Sequence, residues 1–315
     1  MALSQINQTF DPLADAEKLH KAMKGLGTDE KAIIDVMAHR PSHQRAEIAK
    51  AFKTSYGKDL KSAFKSELSG NFHKVCKGLC DYLCDYDAAC IRRAIKGAGT
   101  DEDALVDIMS MRNNHQIRAI KASYSQKFRR DMEADVRSDV SGDFSRVLIG
   151  LMMANRDEST GPVNPEIVTK DVQALYEAGE KRMGTEESTF NRIMCTRSLP
   201  HIAAVSAEYA RSHKRSLKDA ISSETSGNYR NLLLSIVSFA TDPVAHVATL
   251  LYHSMRGIGT NDRRLQRVII SQCESDLPAI KAAFQRLHSK GLGDMIRSDT
   301  SGDYRKVLLA LIGEA

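Results

Sequence analysis

No apolar run in this chain is long enough to cross a bilayer. The longest, around Leu232–Ala240, falls far short of the roughly 20 residues that a membrane helix needs. Residues Met1–Leu13 carry no apolar core flanked by positive charge, so no secretory leader is expected. Long runs of Lys or Arg are missing and the formal charge is only +5, which speaks against a nucleic-acid platform. Cysteine is sparse, with six residues in irregular places. Cys76, Cys80 and Cys84 recur every four residues, as on one helix face, where thiols behave as small hydrophobes. A reduced, intracellular compartment is expected from that usage. Catalytic signatures are missing too: no Gly-x-Ser-x-Gly, no His-Glu-x-x-His, no phosphate loop ending in Gly-Lys-Ser/Thr. Gly97-Ala98-Gly99 lacks the third glycine and preceding strand of a dinucleotide site, and there is no EF-hand loop. No enzyme activity is expected. With 42% hydrophobic and 27% well-mixed charged residues, the chain can build cores and is not disordered.

What the chain does have is a loop written four times. Met23–Glu30 reads Met-Lys-Gly-Leu-Gly-Thr-Asp-Glu, Ile95–Glu102 reads Ile-Lys-Gly-Ala-Gly-Thr-Asp-Glu, and Met255–Asp262 reads Met-Arg-Gly-Ile-Gly-Thr-Asn-Asp. A worn copy, Arg-Met-Gly-Thr-Glu-Glu, occupies Arg182–Glu187. Such periodicity marks a repeat protein. The threonines Thr28, Thr100, Thr185 and Thr260 lie 72, 85 and 75 residues apart, and 39 residues after each comes a carboxylate: Glu67, Asp139, Glu224 and Asp299. Two residues further on, each copy reads Ser-Gly-x-aromatic, beginning at Ser69, Ser141, Ser226 and Ser301.

Glycine permits backbone conformations that other residues avoid, so successive carbonyls of a tight loop can converge on one point. Carbonyl oxygens plus one bidentate carboxylate suit Ca²⁺, which takes roughly 6–8 oxygens in a flexible shell, better than Mg²⁺. Three carbonyls and one acid supply about five of these, leaving room for water or a phosphate oxygen. In a single copy the same residues could be a helix C-cap and a solvated acid. Four copies in register favour the metal site.

The pattern Gly-x-Gly-Thr, 38 residues, then Asp or Glu resembles the annexin core repeat, and four copies over about Asp15–Gly313 resemble a complete annexin. The resemblance implies an all-α fold of four repeats of five helices each, forming a slightly curved disk with the calcium loops on its convex face. It implies calcium-dependent binding of anionic, phosphatidylserine-type phospholipid by a cytoplasmic protein that becomes peripheral on membranes when calcium rises. Implied ligands in repeat 1 are the carbonyls of Met23, Gly25 and Gly27 with Glu67; in repeat 2, Ile95, Gly97 and Gly99 with Asp139; in repeat 4, Met255, Gly257 and Gly259 with Asp299. Repeat 3 departs from the pattern, because Arg182 replaces the first glycine; the matching set is Gly179, Arg182 and Gly184 with Glu224, and the arginine brings a repelling charge. Weaker sites would fall near Glu30 and Glu102. The loop tips Leu26, Ala98, Met183 and Ile258 are the expected membrane-contacting positions. The family also implies a polar interior at Asp87, Asp107, Arg112 and Arg267, with Cys90 where some members carry a further acid, which weakens any ion-conduction reading.

Domains are expected at 1–12 (tail, the place for a protein partner), 13–84, 85–154, 155–168 (a Gly- and Pro-marked linker), 169–240 and 241–315. In repeat 1 the helices are expected near Asp15–Lys24, Asp29–His39, Ser42–Ser55, Lys58–Ser66 and Gly70–Leu83. The second helix repeats an i, i+3, i+4 apolar stripe: Ile33/Val36/Met37, Leu105/Ile108/Met109, Phe190/Ile193/Met194 and Leu265/Val268/Ile269. Its Thr-Asp-Glu start supplies an N-cap and first-turn acids. Phe52, Tyr124, Tyr209 and Phe284 read as core. Arg40, Arg112 and Arg197 are expected to bond the last carbonyls of a helix; repeat 4 has Gln272 there and is expected to satisfy that end differently. The competing functional class is a helical-repeat scaffold that binds protein partners without calcium. Self-assembly on membranes is left open.

Overall fold

A computed structural model describes residues 10–25, 27–97 and 99–314. Within them the chain forms twenty α-helices and no strand. Repeat 1 runs α1 (Pro12–Ala22), α2 (Glu30–Met37), α3 (Ser42–Tyr56), α4 (Leu60–Glu67), α5 (Gly70–Leu79). Repeat 2 runs α6 (Leu83–Ala94), α7 (Glu102–Met111), α8 (Asn114–Phe128), α9 (Met132–Asp139), α10 (Gly142–Met152). Repeat 3 runs α11 (Pro165–Ala178), α12 (Glu187–Thr196), α13 (Leu199–Ser212), α14 (Leu217–Glu224), α15 (Gly227–Thr241). Repeat 4 runs α16 (Pro243–Met255), α17 (Asp262–Gln272), α18 (Leu277–His288), α19 (Leu292–Asp299), α20 (Gly302–Leu311).

Local chemistry sets the boundaries. Asp11 accepts from the amides of Leu13 and Ala14, so α1 opens at Pro12, inside the stretch read as tail. Asp29, Asp101 and Asn261 cap the second helices through their side chains, whereas Glu186 of repeat 3 makes no such bond. The expected helix Gly70–Leu83 is shorter: it stops at Leu79, where the amides of Cys80 and Asp81 close a tight turn on Lys77 and Gly78. Lys61 holds the Asp81 carboxylate at 2.6 Å. Cys76 and Cys84 therefore sit on different helices, and the three thiols do not share one face.

All twelve residues of the second-helix stripes are buried, and Phe52, Tyr124, Tyr209 and Phe284 are each within 2% of full burial. These side chains make the core of each repeat, and complete burial of each is worth roughly 1.5–3 kcal/mol.

The chain divides into two compact units that cut across the linker. One holds the residues up to Tyr86 and those from Val247, so repeats 1 and 4; the other holds Asp87–His246, repeats 2 and 3. Each unit is built reciprocally. In the first, α2 packs on α20 and α17 on α5; in the second, α7 packs on α15 and α12 on α10. Glycine allows the close crossing, since a Cβ on Gly78 would lie 2.8 Å from Ile270 Cδ1, and one on Gly150 2.8 Å from Cys195 Sγ. The linker is fastened inside the second unit. Arg156 donates to the carbonyls of Met194 and Arg197, and Asp157 N–H to that of Thr196. Glu158 accepts the first amide of α8, from Asn114, at 2.7 Å. Glu274 serves α3 in the same way in the first unit, accepting from Ser42 N–H at 2.8 Å and pairing with Arg45.

The arginines expected on helix-terminal carbonyls have another partner. Arg40, Arg112 and Arg197 make two-point pairs with Asp15, Asp87 and Asp171 of the first helices, with Nε–carboxylate distances of 2.7, 2.7 and 2.6 Å. A guanidinium fork matches a carboxylate better than it matches a single carbonyl. Repeat 4 has replaced both members: Val247 takes the acid's place and Gln272 the arginine's. Of the implied polar interior, Asp87 and Asp107 are fully buried and Arg112 nearly so in the second unit; Arg267 is buried in the first.

The paired replacement in repeat 4 makes a prediction. Asp87→Val alone strands a buried guanidinium and should cost about 3–5 kcal/mol. Asp87→Val with Arg112→Gln, the combination that repeat 4 carries, should recover more than half of that loss in thermal unfolding. A double variant as unstable as the single would contradict the pairing as the source of the cost.

Candidate metal sites

Each site begins with how its loop is closed. The backbone N–H of the second-helix N-cap donates to a carbonyl in the last turn of the first helix. The pairs are Asp29 to Ala22 (2.8 Å), Asp101 to Ala94 (2.9 Å), Glu186 to Ala178 (2.7 Å) and Asn261 to Ser254 (2.7 Å). This clasp leaves six residues between its ends in repeats 1, 2 and 4, and seven in repeat 3. So short a span must turn sharply. The paired glycines do it, with positive φ throughout: 106° and 89° at Gly25 and Gly27, 112° and 84° at Gly97 and Gly99, 106° and 81° at Gly257 and Gly259. No side chain crowds them: a Cβ at any of the six would meet nothing within 4 Å. The glycines are thus required by backbone conformation. All six are exposed, while Ile95 and Met255 at the loop starts are buried and Met23 is half-buried.

The acids are placed by the end of the fourth helix. Glu67, Asp139, Glu224 and Asp299 are the last residues of α4, α9, α14 and α19. The next residue turns to extended backbone in every repeat, and its N–H still bonds the helix. Glu67 is exposed and the other three are half-buried. The anchor threonine joins loop to acid. Thr100 Oγ donates to the Asp139 carboxylate at 2.6 Å, and Thr260 Oγ to that of Asp299 at 2.5 Å. In repeat 3, Thr185 reaches the main-chain oxygen of Glu224 instead, at 2.7 Å. In the sequence, the recurrence of these threonines at one offset from the acid is the signal for that structural role.

Repeat 3 differs in further ways. Gly184 keeps a positive φ of 78°, but Arg182 is not among the residues in that region. Arg182 pairs with Glu186 at 3.1 Å, which offsets the charge that it brings to the loop. Gly179 does lie against the acid, since a Cβ there would be 3.1 Å from Glu224 Cγ. Glu102 lines a concavity of 570 Å³ together with Asp139, Asp143, Glu187 and Glu224, so the acids of repeats 2 and 3 open onto one acidic hollow. Of the loop tips, Met183 and Ile258 are fully exposed; Leu26 and Ala98 lie outside the described residues.

The groups that loop and acid could offer a cation are all oxygens: main-chain carbonyls and one carboxylate per repeat. Among the described residues no three His, Cys, Asp or Glu side chains gather as a metal cluster. A cation here would therefore draw mainly on main-chain oxygens, which suits a hard, flexible-shell ion such as Ca²⁺. The residues present fit that ion.

Fold and sites together define an all-helical protein of four repeats, each pairing a glycine loop with a helix-terminal acid. The chain belongs to the annexin family, whose model matches residues 14–79, 86–151, 170–236 and 246–311. It is similar to annexin A11 of Oryctolagus cuniculus (48% identical over 304 residues), annexin A7 of Homo sapiens (47% over 305) and annexin A4 of Homo sapiens (47% over 304). These alignments cover 96%, 97% and 96% of this chain and 60%, 62% and 95% of the relatives, so the chain spans about three-fifths of the length of the first two. Among solved structures, annexin III superposes with a TM-score of 0.94 at 38% identity, covering 96% of this chain and 94% of its own. Chicken annexin V in complex with Zn²⁺ gives 0.92 at 42%, covering 100% and 98%. Calcium-bound annexin (Sm)1 gives 0.85 at 34%, covering 97% and 91%.

The conformational role of the glycines is testable without any ligand. Gly257→Ala adds a methyl to open space yet forces a left-handed backbone on alanine, so it should cost about 1–2 kcal/mol in urea unfolding. A loss below about 0.3 kcal/mol would mean that the loop relaxes to another shape and that the observed turn is not required.

Proposed function

We propose that this annexin binds anionic phospholipid surfaces in a calcium-dependent manner through its four loop-and-acid sites. The observation that carries the reading is the recurrence of one geometry: a clasped glycine loop tied by its threonine to a carboxylate 39 residues away, seen directly for Thr100–Asp139 and Thr260–Asp299. The calcium-bound state of annexin (Sm)1, 34% identical to this chain, supports the choice of ion. The ligand sets are those named from the sequence, three carbonyls and one acid per repeat. When bound, Ca²⁺ would supply positive charge and open coordination positions for lipid phosphate oxygens.

The chain's own residues do the rest. The glycines turn the carbonyls toward one point. The threonine hydroxyl orients the carboxylate in repeats 2 and 4. Each loop also presents an exposed base four residues before its threonine: Lys24, Lys96, Lys181 and Arg256. Such bases are attracted to an anionic surface within a Debye length, at roughly 1 kcal/mol each. The exposed tips Met183 and Ile258, with Leu26 and Ala98 at the matching positions, would reach the interfacial carbon chains. Among the described residues no helix is long and apolar enough to cross a membrane, and the proposed attachment is peripheral, from the cytoplasm. The repeat boundaries, the partner-binding tail and assembly on the bilayer belong to the same reading.

Lipid and calcium must strengthen each other by the same factor. In a chain carrying Glu67→Gln, Asp139→Asn and Asp299→Asn, the calcium midpoint for pelleting with phosphatidylserine vesicles should rise at least tenfold, about 1.4 kcal/mol. An unchanged midpoint would sink the assignment of the acids, and pelleting that survives a chelator would favour a calcium-independent scaffold.

The tips predict a separate effect. Met183→Asp with Ile258→Asp should weaken vesicle binding at saturating calcium while leaving the melting temperature within about 2 °C, as surface changes usually do. A folded double variant that binds as tightly as the parent would show that phosphate bridging carries the attachment alone.

A further inference from the structure

The additional residue in the repeat 3 loop lies at its start, and the structure shows what it does. Gly179 ends α11 at φ −116° and ψ −99°. Lys181 N–H reaches back to Tyr176 O at 3.1 Å, and Arg182 N–H donates to Gly179 O at 3.1 Å. The Gly179 oxygen that a calcium site needs is thus already engaged within a closed turn. Between these residues sits Glu180, held from outside the loop. Its carboxylate accepts from Tyr209 Oη at 2.6 Å and pairs with Arg215 at 2.9 Å. The Glu180 side chain is 15% exposed, and Tyr209 is almost fully buried.

Tyr209 is the third-helix core aromatic of its repeat. The matching Tyr124 gives its hydroxyl to Asp135 of α9, at 2.7 Å. Phe52 and Phe284 have no hydroxyl to give. Repeat 3 is therefore where the core aromatic grips the metal loop itself. Burial, reinforced by the bond to Glu180, pushes the Tyr209 hydroxyl above its ordinary value.

We infer that Glu180 is a positioning residue: gripped by Tyr209 and Arg215, it holds the Gly179–Arg182 turn shut and makes repeat 3 the weakest of the four sites for Ca²⁺. The inference deepens the calcium reading and rests on it. Turning the Gly179 oxygen toward an ion requires the turn to open, and whatever holds it shut is subtracted from the binding free energy. The clamp accounts for a weak repeat 3 site by a cause other than the charge of Arg182, which Glu186 already offsets.

The test uses Ca²⁺ alone, without lipid, in two chains. One carries Glu67→Gln, Asp139→Asn and Asp299→Asn and keeps only the repeat 3 acid. The other carries Asp139→Asn, Glu224→Gln and Asp299→Asn and keeps only the repeat 1 acid. Into each goes Tyr209→Phe, which changes no charge, or Glu180→Gln, and affinity is read by calorimetry. Removing the Glu180 charge would by electrostatics alone weaken cation binding, whereas releasing a clamp tightens it, so the sign separates the two causes. Both variants should tighten binding about three- to tenfold in the repeat 3 chain, the worth of one net hydrogen bond, and leave the repeat 1 chain unchanged. Unchanged or weaker binding in the repeat 3 chain would overturn the clamp. Should Tyr209→Phe fail to fold, Glu180→Gln decides alone by the same criterion. A repeat 1 chain that binds no Ca²⁺ would bring down the calcium reading itself, and the clamp with it.

Discussion

The four sites depend on one hydrogen bond, the clasp from the second-helix N-cap amide to the last turn of the first helix. A helix end leaves its final carbonyls without intrahelical partners. Here one of them is satisfied by the start of the next helix, and the chain between must make a hairpin in six residues. That constraint explains the glycines, because only they adopt the required positive φ without strain. Where the span is seven residues, in repeat 3, the extra length is taken up by a further turn, and the loop acquires the side-chain anchor Glu180.

Around the loops, each unit is held by reciprocal packing of second helices on fifth helices, by close crossings at Gly78 and Gly150, and by two-point Asp–Arg pairs inside three repeats. A buried pair is weak grounds for net stability, since desolvation offsets much of the attraction. Its better attested use is to fix register, and here it joins the first helix to the corner after the second. Repeat 4 has Val247 and Gln272 at these places and so carries no such pair. Its corner instead presents Glu274 to repeat 1.

The repeat number, the helical class, the second-helix stripes and the aromatic core were legible because they are local patterns with fixed periods. The acids and glycines were legible because four copies expose an offset that one copy hides. The Asp–Arg pairs were within reach: Asp15, Asp87 and Asp171 precede their arginines by 25, 25 and 26 residues, and the odd value also announces the inserted residue in repeat 3. What hides them is that a helix-terminal arginine also suits the last backbone carbonyls. The break at Leu79 was missed because the four-residue cysteine spacing suits a continuous helix. The grouping of repeat 1 with 4 and 2 with 3 was not legible at all. It rests on contacts between segments more than a hundred residues apart in the first unit. The Tyr209–Glu180 clamp was likewise invisible, since Tyr209 occupies a position that reads as core in all four repeats.

In each proposed site, main-chain oxygens of a clasped loop and one helix-terminal carboxylate share a single cation. Crystallography of the protein grown with calcium tests it most directly, through anomalous difference density. The expected result is a peak about 2.3–2.6 Å from the carbonyl oxygens of Met255, Gly257 and Gly259 and from the Asp299 carboxylate, with matching peaks in repeats 1 and 2. Peaks confined to the acidic hollow lined by Glu102 and Glu187, or none at the glycine loops at millimolar calcium, would contradict it.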